Sequence, residues 1–168
     1  LKKLLEVYQA REREMAHTIS DEMGAPIDLA ISEQASSGSS HLKAFIRTLA
    51  AFEWVRPLRP GTVGQDLTYE PAGVVSLITP WNWPMNQVVL KVGAAIAAGC
   101  TMVLKPSEIA PMSGMLFAEM VDEVGLPAGV FNMINGDGVG AGSIMSSHPD
   151  IDVVSFTGST RAGILITK

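Results

Sequence analysis

The chain has 168 residues, 47% hydrophobic and 17% charged, with a formal net charge of -5 and one cysteine. This balance excludes a disordered segment, and the lone Cys100 excludes an internal disulfide or a cysteine-based zinc cluster. The negative charge gives no electrostatic footprint for nucleic acid, and no apolar run approaches the ~20 residues that span a bilayer, so a small-molecule partner without nucleic acid or membrane is expected. The first residues lack the long apolar region of a secretory signal, which makes a cytoplasmic location the expectation.

Leu1, Leu4, Leu5, Tyr8, Met15, Ile19 and Met23 recur at helical spacing, predicting one amphipathic helix over residues 1–23 that stops at Gly24. A second helix is predicted over 28–52, although Ser36-Ser37-Gly38-Ser39-Ser40 weakens its middle and also fits a loop. In 53–71, Pro57, Pro60, Gly61 and Gly64 break helices, and Leu67 and Tyr69 alternate with Thr68 and Glu70, which predicts a β excursion. An exposed β arm suits a subunit contact or a solvent-exposed hairpin equally.

From 72 to 168 the pattern becomes α/β. Strands are predicted at 74–78, 101–104, 130–134 and 153–156, separated by helices at 84–98, 112–124 and 139–147, with another helix beginning at 160. The fold class is therefore α/β: a Rossmann-like parallel sheet with flanking helices, preceded by a helical pair (1–52) and a β excursion. Because the chain begins with Leu1 and its last helix is only starting, it reads as a fragment of a larger protein.

Three polar turns follow strands: Pro80-Trp81-Asn82-Trp83-Pro84, Lys105-Pro106-Ser107-Glu108 and Phe156-Thr157-Gly158-Ser159-Thr160. In an open α/β sheet such turns gather at the carboxyl edge, where nucleotides and substrates bind. A rigidly held Asn82 amide can donate to a developing oxyanion, or can simply tie down its own loop. Lys105 and Glu108 can both hydrogen-bond ribose hydroxyls, or form a surface ion pair; a carboxylate at Glu108 favours a free 2′-hydroxyl, hence NAD over NADP, with NADP left open. Ser159 can cap the following helix, and the free N–H groups around it can hold phosphate oxygens. The cluster Gly136-Asp137-Gly138-Val139-Gly140-Ala141-Gly142 matches the dinucleotide fingerprint loosely but follows the third strand of the core, and close helix packing explains it as well. Cys100 reads as a packed thiol, and His17, His41 and His148 have no metal-like spacing, so no metal is expected.

The three motifs in this order and separation resemble the aldehyde dehydrogenase superfamily, most strongly from Glu70-Pro71-Ala72-Gly73-Val74 to Gly163. The resemblance implies that Asn82 stabilises the oxyanion of a thiohemiacetal. Ile78, Thr79, Pro80 and Trp81 would line the cofactor path, and Lys105 and Glu108 would hold the adenosine ribose, with Ser107 beside them. Gly138 and Gly142 would let a helix approach the adenine, while Phe156, Thr157, Gly158 and Ser159 would meet the pyrophosphate. In that family a cysteine thiolate attacks the aldehyde and a glutamate activates the water that hydrolyses the thioester; both lie beyond the motifs present here, and Cys100 is not that nucleophile. The expectation is the cofactor-binding, N-terminal part of an NAD-dependent aldehyde dehydrogenase, a homo-oligomer when complete. A noncatalytic nucleotide-binding or oligomerising remnant and a CoA-acylating relative are the alternatives.

Overall fold

A computed structural model of the protein describes residues 1–167. The predicted N-terminal helix is two helices, α1 (Lys2–Ala10) and α2 (Glu12–Met23), because the chain turns at Arg11 (φ -111°, ψ 11°). Arg11 holds that break: its guanidinium donates twice to Glu14 and once, at 3.1 Å, to Glu119. These ion pairs raise the Arg11 pKa further above its ordinary value. Gly24 ends α2 in the left-handed conformation that glycine adopts without a Cβ penalty.

The second helical stretch is continuous where a loop was also open. A turn α3 (Ile27–Leu29) and a π turn (Ala30–Ala35) lead directly into α4 (Ser36–Ala51). The serine-rich segment stays helical because its hydroxyls bond back to carbonyls three or four residues earlier, as Ser36 does to Ser32 and Ser39 does to Ser36. Gly38 admits the buried Tyr8 ring, whose hydroxyl donates 2.7 Å to the Ala35 carbonyl at the π–α junction. Burial, with Glu12 as a secondary cause, pushes the Tyr8 pKa up, so the hydroxyl keeps its proton.

The β excursion is a two-stranded antiparallel ribbon of β1 (Val55–Pro57) and β2 (Asp66–Thr68), almost wholly exposed. The main sheet follows: β3 (Val74–Ile78), β4 (Thr101–Lys105), β5 (Phe131–Met133) and β6 (Val153–Phe156), all parallel, in the order β5-β4-β3-β6. The strands alternate with α5 (Pro84–Ala97), α6 (Met112–Val124), α7 (Ser143–Ser147) and α8 (Thr160–Ile166). Val75, Leu77, Met102 and Leu104 enter one core with residues of α1, α2, α4, α5 and α6. The opposite face carries Lys105, which contacts the segment leading into α7. The sheet is therefore doubly wound, and its order reverses between β3 and β6.

The third helix of the core departs from expectation: it opens as a π turn, Gly138–Gly142, before becoming α7. Asp137 caps that turn by accepting from the Gly140 N–H at 2.6 Å. Cys100 is buried in the core as a free thiol. Among the described residues, no helix is long and apolar enough to cross a membrane.

A methyl group at Gly38 would overlap the Tyr8 ring. Gly38→Ala is expected to lower unfolding free energy by about 1–3 kcal/mol through overpacking, whereas Ser40→Ala on the exposed face changes it by less than ~0.5 kcal/mol; urea denaturation compares them.

Candidate functional site

The strand register brings the three motifs together. Ile78 at the end of β3 pairs with Lys105 of β4 on one side and Phe156 of β6 on the other. Beyond that row, the Thr79 N–H donates to the Lys105 carbonyl at 3.2 Å and the Thr157 N–H to the Ile78 carbonyl at 3.1 Å. The turns after β3, β4 and β6 thus leave side by side.

Lys105 is only 2% exposed, which rules out the surface ion pair as its description. Its ammonium donates to the Pro106 carbonyl at 2.9 Å and the Gly136 carbonyl at 2.8 Å, and lies 3.4 Å from Glu108 Oε2. The first two bonds staple the β4 turn to the glycine segment. The third is long and weak, and its carboxylate is exposed, so one ammonium donor and Glu108 stay available to a ligand. Ser107 is buried, and its hydroxyl accepts from the Ile109 N–H at 3.3 Å, a bond that shapes the turn.

Across the sheet edge, Ser159 caps α8 by accepting from the Ala162 N–H at 3.2 Å. A Cβ at Gly158 would overlap the Phe156 ring, so glycine lets the turn fold over that side chain. Between α8 and the π turn lies an apolar cleft of about 220 Å³ lined by Ile78, Phe156, Gly138, Gly142, Ala162 and Leu165. Open space lies beyond Gly138, and a Cβ at Gly142 would reach ordinary contact with Lys105. Gly138 and Gly142 form one wall of this cleft, facing α8.

Asn82 lies apart from this cleft, in the turn between β3 and α5. Its side chain is exposed and makes no hydrogen bond among the described residues, so it does not serve as a loop tie. Trp81 is 46% exposed, and Pro80 is half-buried. The next turns of α5 are anchored to β6, where the Lys91 ammonium donates 2.8 Å to the Ser155 hydroxyl. Partial burial lowers the Lys91 pKa.

Val139, Ser143, Ala162, Leu165 and Ile166 complete the cleft and were not singled out from sequence. Their signal was the spacing of Ala162, Leu165 and Ile166, which share one face of α8. Among the described residues there is no group of three or more metal-ligating side chains.

The aldehyde dehydrogenase family model matches residues 1–168. The chain belongs to the aldehyde dehydrogenase family. It is 50% identical, over 99% of its length, to the 3-succinoylsemialdehyde-pyridine dehydrogenase of a Pseudomonas species, and covers 34% of that protein. An aldehyde dehydrogenase structure from Bartonella henselae superposes with a TM-score of 0.98 and 59% identity over 99% of this chain and 35% of that one. A Pseudomonas syringae aldehyde dehydrogenase solved with NAD+ and octanal gives 0.94 and 46%, over 99% of this chain and 33% of that one. The chain thus spans about a third of the length of these aldehyde dehydrogenases.

Replacing the buried ammonium leaves two carbonyls without their donor. Lys105→Met is expected to destabilise the chain by about 2 kcal/mol, while Glu108→Gln at the exposed end costs less than ~0.5 kcal/mol; thermal unfolding of both variants checks the contrast.

Proposed function

We propose that this chain is the N-terminal, cofactor-binding part of an NAD-dependent aldehyde dehydrogenase that oxidises an aldehyde to a carboxylic acid through a cysteine-bound thiohemiacetal and thioester. The observation that carries the proposal is the apolar cleft at the reversal point of the sheet, with Lys105, the partner of Glu108, behind its Gly142 wall. Ligands of open α/β sheets bind at such a point. NAD, when bound, supplies the electron acceptor of the oxidation.

The residues fit that cofactor in size and in chemistry. An adenine ring suits an apolar cleft whose wall at Gly138 has no side chain, and the ribose hydroxyls suit the spare Lys105 donor and the exposed Glu108 carboxylate. Ser159 and the N-terminal N–H groups of α8 suit the pyrophosphate, with Gly158 giving close approach. The unbonded Asn82 amide suits the oxyanion that forms when a thiolate adds to the carbonyl. A pre-positioned donor of this kind contributes about 10²- to 10³-fold in rate. The nucleophile and general base come from the part of the protein beyond this chain.

The relative named for a pyridine-bearing succinoyl semialdehyde makes semialdehydes the first substrates to try. An exposed aromatic cluster of Phe52, Trp54 and Tyr69, beside an apolar groove against α4 and α5, supports a subunit contact at the β arm and hence a homo-oligomer.

The test follows NADH formation by the full-length protein with a panel of aldehydes, in water and with coenzyme A. NADH with a free acid as product is expected. An acyl-CoA product assigns the CoA-acylating alternative, and NADH from neither sinks the dehydrogenase reading. Glu108→Gln is expected to raise KM for NAD roughly tenfold and to narrow the preference over NADP; unchanged values for both cofactors would remove Glu108 from ribose recognition.

A further inference from the structure

The seam between α4 and α5 is apolar along most of its length. Leu42 of α4 and Val89 of α5 are buried in the core, and Gly93 admits the Phe45 ring, which a Cβ would approach to 2.7 Å. At one end the pattern changes. His41 of α4 and Asn86 of α5 meet through a 2.7 Å hydrogen bond between Nε2 and Asn86 Oδ1, and both side chains are half-buried. From Phe45–Gly93 to His41–Asn86 both numbers fall, so the polar pair lies toward the N-terminal end of each helix. For α5 that end follows β3 and the Asn82 turn.

A polar pair costs more than apolar packing at a helix seam unless both groups are satisfied, and local departures of this kind collect at functional sites. This pair is half-buried, and its single bond leaves part of its hydrogen-bonding capacity open. A carboxamide oxygen only accepts, so His41 Nε2 carries the hydrogen, and its Nδ1 is left as an acceptor in the neutral ring. The Asn86 amide retains two N–H donors, and no bond from them to the protein exists among the described residues. The donors therefore stand in the first turn of α5, which directly follows the Asn82 turn.

We infer that the His41–Asn86 pair determines substrate preference: His41 fixes the Asn86 carboxamide so that its N–H group binds an acceptor, a carboxylate or carbonyl oxygen, on the chain of the aldehyde whose carbonyl sits at Asn82. This rests on the aldehyde dehydrogenase reading above. The substrate class it names is a short aldehyde with an oxygen acceptor at its far end. Fully apolar aldehydes leave the Asn86 donor without a partner.

The test compares kcat/KM of the full-length protein for succinic semialdehyde, butanal and 4-trimethylammoniobutanal, which share a four-carbon chain and differ at the far end. In Asn86→Leu the ratio of succinic semialdehyde to butanal is expected to fall about 10- to 100-fold. Asn86→Asp keeps an acceptor for His41 but faces the substrate with a carboxylate. Its ratio of succinic semialdehyde to butanal falls as well, and its ratio of the trimethylammonium aldehyde to butanal rises above that of the unmodified protein. A pair that only clasps two helices lowers all rates together, so ratios within about twofold of the unmodified protein in both variants overturn the inference. Absence of NADH from all three aldehydes in the unmodified protein, when others of the wider panel give it, overturns the inference alone; absence from the whole panel overturns the dehydrogenase reading.

Discussion

One row of backbone pairing, Lys105–Ile78–Phe156, sets the geometry of the whole carboxyl edge. Side chains alternate between the faces of a strand, so a slip of one residue would send Lys105 toward the helical core and Leu104 toward the glycine wall. The burial of Leu77, Met102 and Leu104 on one face prevents that slip. The same hydrophobic burial that stabilises the fold thus puts a lysine on the face of the sheet that carries the glycine segment.

Once the row is fixed, the site divides into groups already committed to the protein and groups left over. Lys105 spends two strong bonds on stapling the β4 turn to Gly136, and Ser107 spends its hydroxyl on its own turn. Asp137 and Ser159 spend theirs on capping the π turn and α8. What is left is the exposed Glu108 carboxylate and one weakly engaged ammonium donor near an apolar cleft and, apart from the cleft, the amide of Asn82. A rigid frame with a few unspent polar groups around an apolar hollow is what recognition of a heterocycle and its sugar requires.

The sheet was the most legible part of the sequence. The β-branched runs at 74–78 and 153–156 fall in strands of the same bounds, at 74–78 and 153–156. Proline at 84 and glycine at 125 likewise mark a helix start and a helix stop. The break at Arg11 was not legible, because apolar spacing continues through it and the cause is a pair of glutamates, one of them 108 residues away. The serine-rich stretch left a loop open beside the predicted helix because local propensity disfavours helix there, whereas tertiary packing of Tyr8 on Gly38 and back-bonding of the hydroxyls keep it helical. The motifs singled out Lys105, Glu108, Asn82 and Ser159, but not the bonds by which Lys105 and Ser159 are held within the protein. The cleft escaped notice because its second wall is the apolar face of α8, which carries no chemical signature in a linear reading.

The account stands or falls on where the adenosine end of NAD lies, and a crystal structure of the full-length protein with NAD answers that directly. The predicted result has adenine between the Gly138–Gly142 turn and α8, ribose hydroxyls on Lys105 and Glu108, and pyrophosphate at Ser159. Adenosine bound elsewhere, with the cleft closed and Glu108 in solvent, would contradict it.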